Sequence, residues 1–174
     1  MSLRHTSHSA HRLESGFYCH AVLVPPPRRA ERQALLALGR PGGALGLVLA
    51  VTGDMLELAI DDRRGRRLAL SAPLGEAPAD RQRIVAVNAA DDGDARRATL
   101  LLDGEAVAEG AAPGRFPNAF DGCLRLGRDA AGWDPAGPWR LALFEFWPAP
   151  CGAADLAAHR QALTHRFAAT LAFV

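Results

Sequence analysis

The chain has 174 residues, 49% of them apolar, and its 20 basic and 19 acidic side chains leave a formal charge of +1. That length suits one domain with a sizeable buried core, and the near-neutral balance without a long basic run argues against a partner held by phosphate neutralisation. Every basic residue is Arg, spread through loops and strand ends beside abundant Ala, Gly and Pro, which reads as compositional bias rather than a guanidinium patch.

Residues 1–15 are polar and lack a strand or helix period, so they read as a flexible arm. His5, His8 and His11 lie in it at a three-residue spacing that would bring imidazoles toward one helical face as metal ligands; a solvated tail is the simpler reading. No apolar segment at the start has the character of a signal peptide, and no stretch reaches the roughly 18 to 20 apolar residues of a membrane span. The expectation is a soluble chain with no membrane partner, cytoplasmic by default, its compartment otherwise unknown.

From Gly16 the pattern becomes one of strands. Phe17, Cys19, Ala21 and Leu23 alternate with Tyr18, His20, Val22 and Val24 before three prolines stop the run. Residues 33–38 and 44–51 form the next two strands, and Thr52-Gly-Asp54 is a hairpin signal. In 55–61 the apolar residues Leu56, Leu58 and Ile60 alternate with Glu57 and Ala59, which predicts one buried and one wet face. A turn at 61–65 returns the chain through 66–71.

Strands follow at 82–88 and 97–102, joined through the acidic stretch Asp91-Asp-Gly-Asp94, and then at 105–109 beyond Asp103-Gly104, the clearest hairpin signal in the chain. Two more lie at 123–126 and 140–147. The ending changes period: Leu156, Leu163 and Phe167 fall near one helical face, predicting a helix at about 153–167 with His159, Arg160 and Arg166 off that face. About ten short strands and one terminal helix exclude βαβ architectures and predict an all-β, antiparallel β-sandwich of jelly-roll type over 16–174.

The order of these elements resembles the LamG-like branch of the concanavalin A-like lectin and glucanase superfamily. Leu100-Leu-Leu-Asp-Gly-Glu105 with Ala106-Val107 matches an apolar strand closing on an Asp-Gly hairpin, Leu124-Arg-Leu-Gly127 the short strand after it, and 141–147 the last long strand before the closing helix. Residues 33–38 and 44–60 match the early strands. The resemblance implies a concanavalin A-like sandwich that recognises a glycan or a protein surface. Two departures bear on the family's calcium site: the last strand has one acid, Glu145, where relatives often carry an Asp-Glu pair, and no Trp precedes Ile84.

Catalysis is not expected. Retaining glucanases need two carboxylates about 5 to 5.5 Å apart, and no Glu-x-Asp-x-Glu run occurs; Glu57 and Asp61 share a strand face, but Asp61 sits at a turn. Cys19 and His20 are adjacent in a strand and point to opposite faces, so they cannot pair as nucleophile and base. His159 and His165 read as helix-surface residues. Cys19, Cys123 and Cys151 are widely spaced with no metal motif; they read as buried or free thiols, and a Cys123 to Cys151 disulfide stays open for an oxidising compartment.

For binding, Trp133 stands among Gly and Pro in the loop 129–135, where an indole stacks on a sugar or fills a partner's pocket. Asn118, Asp121, Asp129 and Asp134 supply convergent polar groups for such a site. Asp91, Asp92 and Asp94, with Asn88 nearby, offer oxygens to a hard cation such as Ca2+, although a solvated acidic turn is the commoner reading and no cofactor is required. Trp139, Phe144, Phe146 and Trp147 read as packing residues, with Phe144 facing away from the others. The reading is a non-enzymatic recognition domain that binds a glycan or a protein surface through its loops or its concave face. The alternatives are an assembly subunit such as a virion decoration or appendage component, homo-oligomeric through its arm, and an accessory subunit of a larger enzyme.

Overall fold

A computed structural model of the chain describes residues 10–13, 15–26, 30–39, 45–62, 64–75, 81–117, 119–121, 124–127 and 139–171. In chain order these form β1 (Ala10–Arg12), β2 (Gly16–Val24), β3 (Gln33–Leu38), β4 (Leu45–Thr52), β5 (Met55–Asp62) and β6 (Arg67–Pro73). There follow β7 (Arg83–Asp92), β8 (Ala95–Leu102), β9 (Glu105–Pro113), β10 (Ala119–Asp121), β11 (Leu124–Leu126), β12 (Arg140–Trp147) and the helix α1 (Ala153–Leu171).

The strands build two five-stranded sheets, ordered β11-β3-β4-β5-β6 and β12-β2-β7-β8-β9, and every pairing among the described residues is antiparallel. The chain is thus an all-β sandwich closed by a C-terminal helix. Alternation places Leu47, Leu49, Leu56, Leu58, Ile60, Leu68 and Leu70 of one sheet against Phe17, Cys19, Leu23, Val85, Val87, Leu100 and Leu102 of the other in one apolar layer. Each fully buried aliphatic side chain there contributes about 1.5 to 3 kcal/mol.

The two faces of the second sheet differ from the alternation the sequence suggests. All nine residues of β2 are buried, because α1 lies across the outer face: Leu156 packs with Tyr18, Ala86 and Leu101, and Leu163 with Val22 and Ile84. Both faces of β2 are therefore buried, as in a central strand covered on both sides. The stretch read as a polar arm contributes β1, whose Ala10, His11 and Arg12 pair with Asp121, Phe120 and Ala119, and Leu13 beside it enters the core.

Two local features hold the frame in register. Gly16 runs so close to β7 that a Cβ on it would stand 2.0 Å from the carbonyl oxygen of Ala89, so no other residue fits there. Asp103 and Gly104 take φ of 53° and 84°, the left-handed pair that a two-residue hairpin between right-twisted strands demands. The Asp103 carboxylate accepts the Ile84 N–H at 2.9 Å and the Arg83 Nε–H at 2.7 Å, while Arg83 Nη1 donates to Leu74 O at 2.6 Å, so this turn ties β8, β7 and the end of β6 together. Among the described residues no helix is long and apolar enough to cross a membrane.

Candidate functional site

On the outer face of the first sheet the side-chain period leaves small residues in the middle and charges at the edges. Three rungs cross β4, β5 and β6: Ala50–Glu57–Ser71, Val48–Ala59–Ala69 and Gly46–Asp61–Arg67. The low floor of Val48, Ala59, Ala69 and Ser71 leaves an open groove of about 550 Å³, which Arg32 also lines from the segment before β3.

The four charges in the groove are matched. Arg67 donates from Nε to Asp61 Oδ1 at 2.8 Å and from Nη2 to Asp61 Oδ2 at 3.0 Å, the fork geometry that suits a carboxylate. These hydrogen bonds hold the Arg67 guanidinium above its usual pKa. Arg32 Nε lies 3.4 Å from Glu57 Oε2. All four side chains stay between about a third and two thirds exposed. Glu57 and Asp61 do share a face, as their spacing implies, and each stands against its own guanidinium. The arginines were the part of this groove that spacing along one strand could not reveal, since Arg32 and Arg67 come from neighbouring segments.

Of the loop residues expected to bind, Trp133, Asn118, Asp129 and Asp134 lie outside the described residues, and Asp121 closes β10 opposite Ala10. The acidic turn is spread over separate partners. Asp91 Oδ1 accepts the Phe116 N–H at 2.8 Å, Asp92 takes the Arg97 guanidinium, and Asp94 projects into solvent 3.9 Å from Arg115. Among the described residues no three His, Cys, Asp or Glu side chains are gathered as metal ligands. Asn88 turns away from that loop: its Nδ2 donates to Cys151 O and its Oδ1 accepts the Cys151 N–H, each at 3.0 Å. It fastens the entry of α1 to the sheet.

A second polar cluster lies beneath α1. His159 faces the sheet rather than solvent, stacking on Tyr18 at 5.3 Å and meeting Trp147 at 4.9 Å between ring centroids. The spacing of Leu156, His159 and Leu163 shows that the packed stripe runs through the histidine. His20, 1% exposed, sets Nε2 3.1 Å from Glu145 Oε2 but off the hydrogen-bonding direction. Burial pushes the His20 pKa below its usual value, against the opposing pull of Glu145, and burial raises the Tyr18 phenol. Phe146 joins Phe144 in the core, stacking on Phe17 at 5.6 Å, while Trp147 faces the helix. Two residues apart in a continuous stretch of β12, the two phenylalanines share a face, which corrects the expectation that Phe144 faces away from Phe146.

The thiols are quiet. Burial pushes Cys19 up to about 12, and burial, with Asp155 adding to it, raises Cys151. Cys151 is a free thiol among the described residues, and Cys123, the partner considered for it, lies outside them. Neither Cys19 nor Cys151 has the electropositive surroundings that make a nucleophile.

Fold and groove together define the class: a two-sheet antiparallel sandwich with an open, charge-balanced face. No protein-family model matches the chain, and no curated protein matches it by sequence. Solved structures match it in fold. The Ruminococcus gnavus IT-sialidase CBM40 bound to alpha2,3 sialyllactose is 14% identical over 91% of this chain and 96% of that one, with a TM-score of 0.59. The botulinum neurotoxin serotype D ligand binding domain in complex with N-acetylneuraminic acid is 9% identical over 90% of this chain, at a TM-score of 0.63. The botulinum neurotoxin type G receptor binding domain is 10% identical over 86%, at 0.61. The chain spans 38% of each of these two toxin domains. At such identities the likeness is one of fold.

Proposed function

We propose that this chain is a non-enzymatic, LamG-like recognition domain whose partner is a saccharide, bound across the outer face of β4, β5 and β6. The observation that carries the reading is the groove itself. A sugar hydroxyl both donates and accepts, and here carboxylate oxygens of Glu57 and Asp61 alternate with guanidinium N–H groups of Arg32 and Arg67 above a floor low enough to admit a ring. Fold-level neighbours named for sugar complexes agree with this reading, and fold alone does not choose a ligand. Trp133 belongs to the same proposal as a stacking platform, with Asn118, Asp121, Asp129 and Asp134 as further polar contacts.

The test is a glycan array probed with the wild-type chain and with Glu57→Ala, Arg67→Ala and Trp133→Ala. The reading expects at least one saccharide class bound and binding weakened by about tenfold or more in the groove variants. A flat array for wild type would overturn it.

A further inference from the structure

The groove differs chemically from what an acidic sugar requires. A ligand carboxylate is held best by a guanidinium fork free to receive it. Arg67 already gives two N–H groups to the two oxygens of Asp61, and Arg32 stands against Glu57. Among the described residues the rungs bring no further basic side chain to the floor, which Val48, Ala59, Ala69 and Ser71 line. Among the described residues, a ligand anion entering here finds only guanidiniums already paired with a carboxylate and comes to lie beside Asp61 or Glu57, like charge against like charge.

A neutral hydroxyl meets no such conflict. Each guanidinium carries five N–H donors, so the Arg67 pairing leaves N–H groups for an accepting sugar oxygen, and the spare lone pairs of Asp61 and Glu57 take hydroxyl protons. The existing ion pairs then orient the four groups before a ligand arrives, which lowers the ordering cost of binding.

We infer that the groove selects neutral, hydroxyl-rich saccharides and discriminates against carboxylated ones, with Glu57 and Asp61 as the specificity-determining residues. This rests on the reading of the groove as a saccharide site. The device is a repulsive element built beside an attractive one, as specificity between similar ligands commonly needs. It places this chain's ligand apart from the sialyllactose and N-acetylneuraminic acid bound in two structures that share its fold.

The experiment compares neutral oligosaccharides with counterparts that carry one sialic or uronic acid, by calorimetric titration into the full chain. Wild type is expected to bind the neutral member of a pair at least about tenfold more tightly. The isosteric double variant Glu57→Gln with Asp61→Asn removes the negative charge beside both guanidiniums and is expected to narrow that ratio or invert it, and Arg67→Gln, which leaves Asp61 unneutralised, to widen it. Equal or tighter binding of the acidic member by wild type overturns the inference and leaves the saccharide reading standing. So does a ratio unmoved in both variants. Binding of neither member of any pair overturns the saccharide reading itself.

Discussion

Arg96 of β8, with no solvent exposure, reaches from one sheet to the other and sets its Nη1 3.4 Å from Oδ2 of Asp62 at the end of β5. Its Nη2 donates to Arg66 O at 2.6 Å, while Nε and Nη1 make no hydrogen bond among the described residues. Burial alone would raise the Asp62 carboxyl, yet the N–H groups of Arg66 and Arg64 and the charge of Arg96 outweigh it and hold the group below its usual range. The cation is thus compensated mainly by one carboxylate across the core.

Removing that carboxylate is expected to cost more than removing the cation. Asp62→Ala strands a buried guanidinium and should lower stability by about 3 to 5 kcal/mol, whereas Arg96→Met replaces it with an apolar chain of similar reach and should cost clearly less. Urea unfolding of the two variants measures the difference; equal losses would show that the pair is not the source of the asymmetry. Because the Asp62 pKa is depressed in the folded chain, its contribution is present above its unfolded pKa and lost as pH falls through the folded one.

Asn88 carries the second prediction. Its amide satisfies both backbone groups of Cys151 ahead of α1, so Asn88→Ala should cost about 1 to 3 kcal/mol and loosen the helix. Asn88→Asp keeps an acceptor for the Cys151 N–H and should fall between. Hydrogen exchange of the α1 amides reports the docking directly, and exchange rates unchanged from wild type would show that the helix is held by its apolar stripe alone.

Acid should act through His20. Its folded pKa lies below that of the unfolded chain, so the unfolded chain takes up the proton first and stability falls as pH drops from about 6.5 toward the folded pKa. Glu145 opposes this shift and His159 adds to it. A melting temperature followed across that range should decline, and His20→Phe should flatten the decline. An identical slope in the variant would assign it to other groups.

Thiol chemistry gives a fourth check. With its pKa pushed up to about 12 in the core, Cys19 should stay unmodified when the folded chain meets iodoacetamide in mildly alkaline buffer, and react once guanidinium chloride unfolds it. Cys151, half-buried with a raised pKa, should react slowly. Peptide mass spectrometry locates the label, and rapid native labelling of Cys19 would contradict the packing described.

The sandwich was legible because its strongest signals are local. Period-two runs such as Leu56, Leu58 and Ile60 state both the strand and its buried face, and Asp103-Gly104 states its hairpin through backbone sterics alone. What α1 covers was not legible: the alternation of β2 separates Tyr18 and His20 from Phe17 and Cys19 but does not say that a helix more than a hundred residues later in the chain lies over them. His159 was assigned to solvent because an imidazole looks like a surface residue in a pattern of leucines, although its spacing from Leu156 and Leu163 places it on the packed stripe. The groove was half visible. Glu57 and Asp61 announce themselves four apart on one strand, but the arginines that neutralise them arrive through sheet register and a loop, which no local period encodes.

The central claim is that saccharides bind on the face of β4, β5 and β6, and amide chemical-shift mapping during titration with neutral oligosaccharides tests it most directly. The account predicts saturable shifts concentrated at Val48, Glu57, Ala59, Asp61, Arg67, Ala69 and Ser71, absent in Glu57→Ala with Arg67→Ala. Shifts confined to other surfaces, or none with any saccharide, would contradict it.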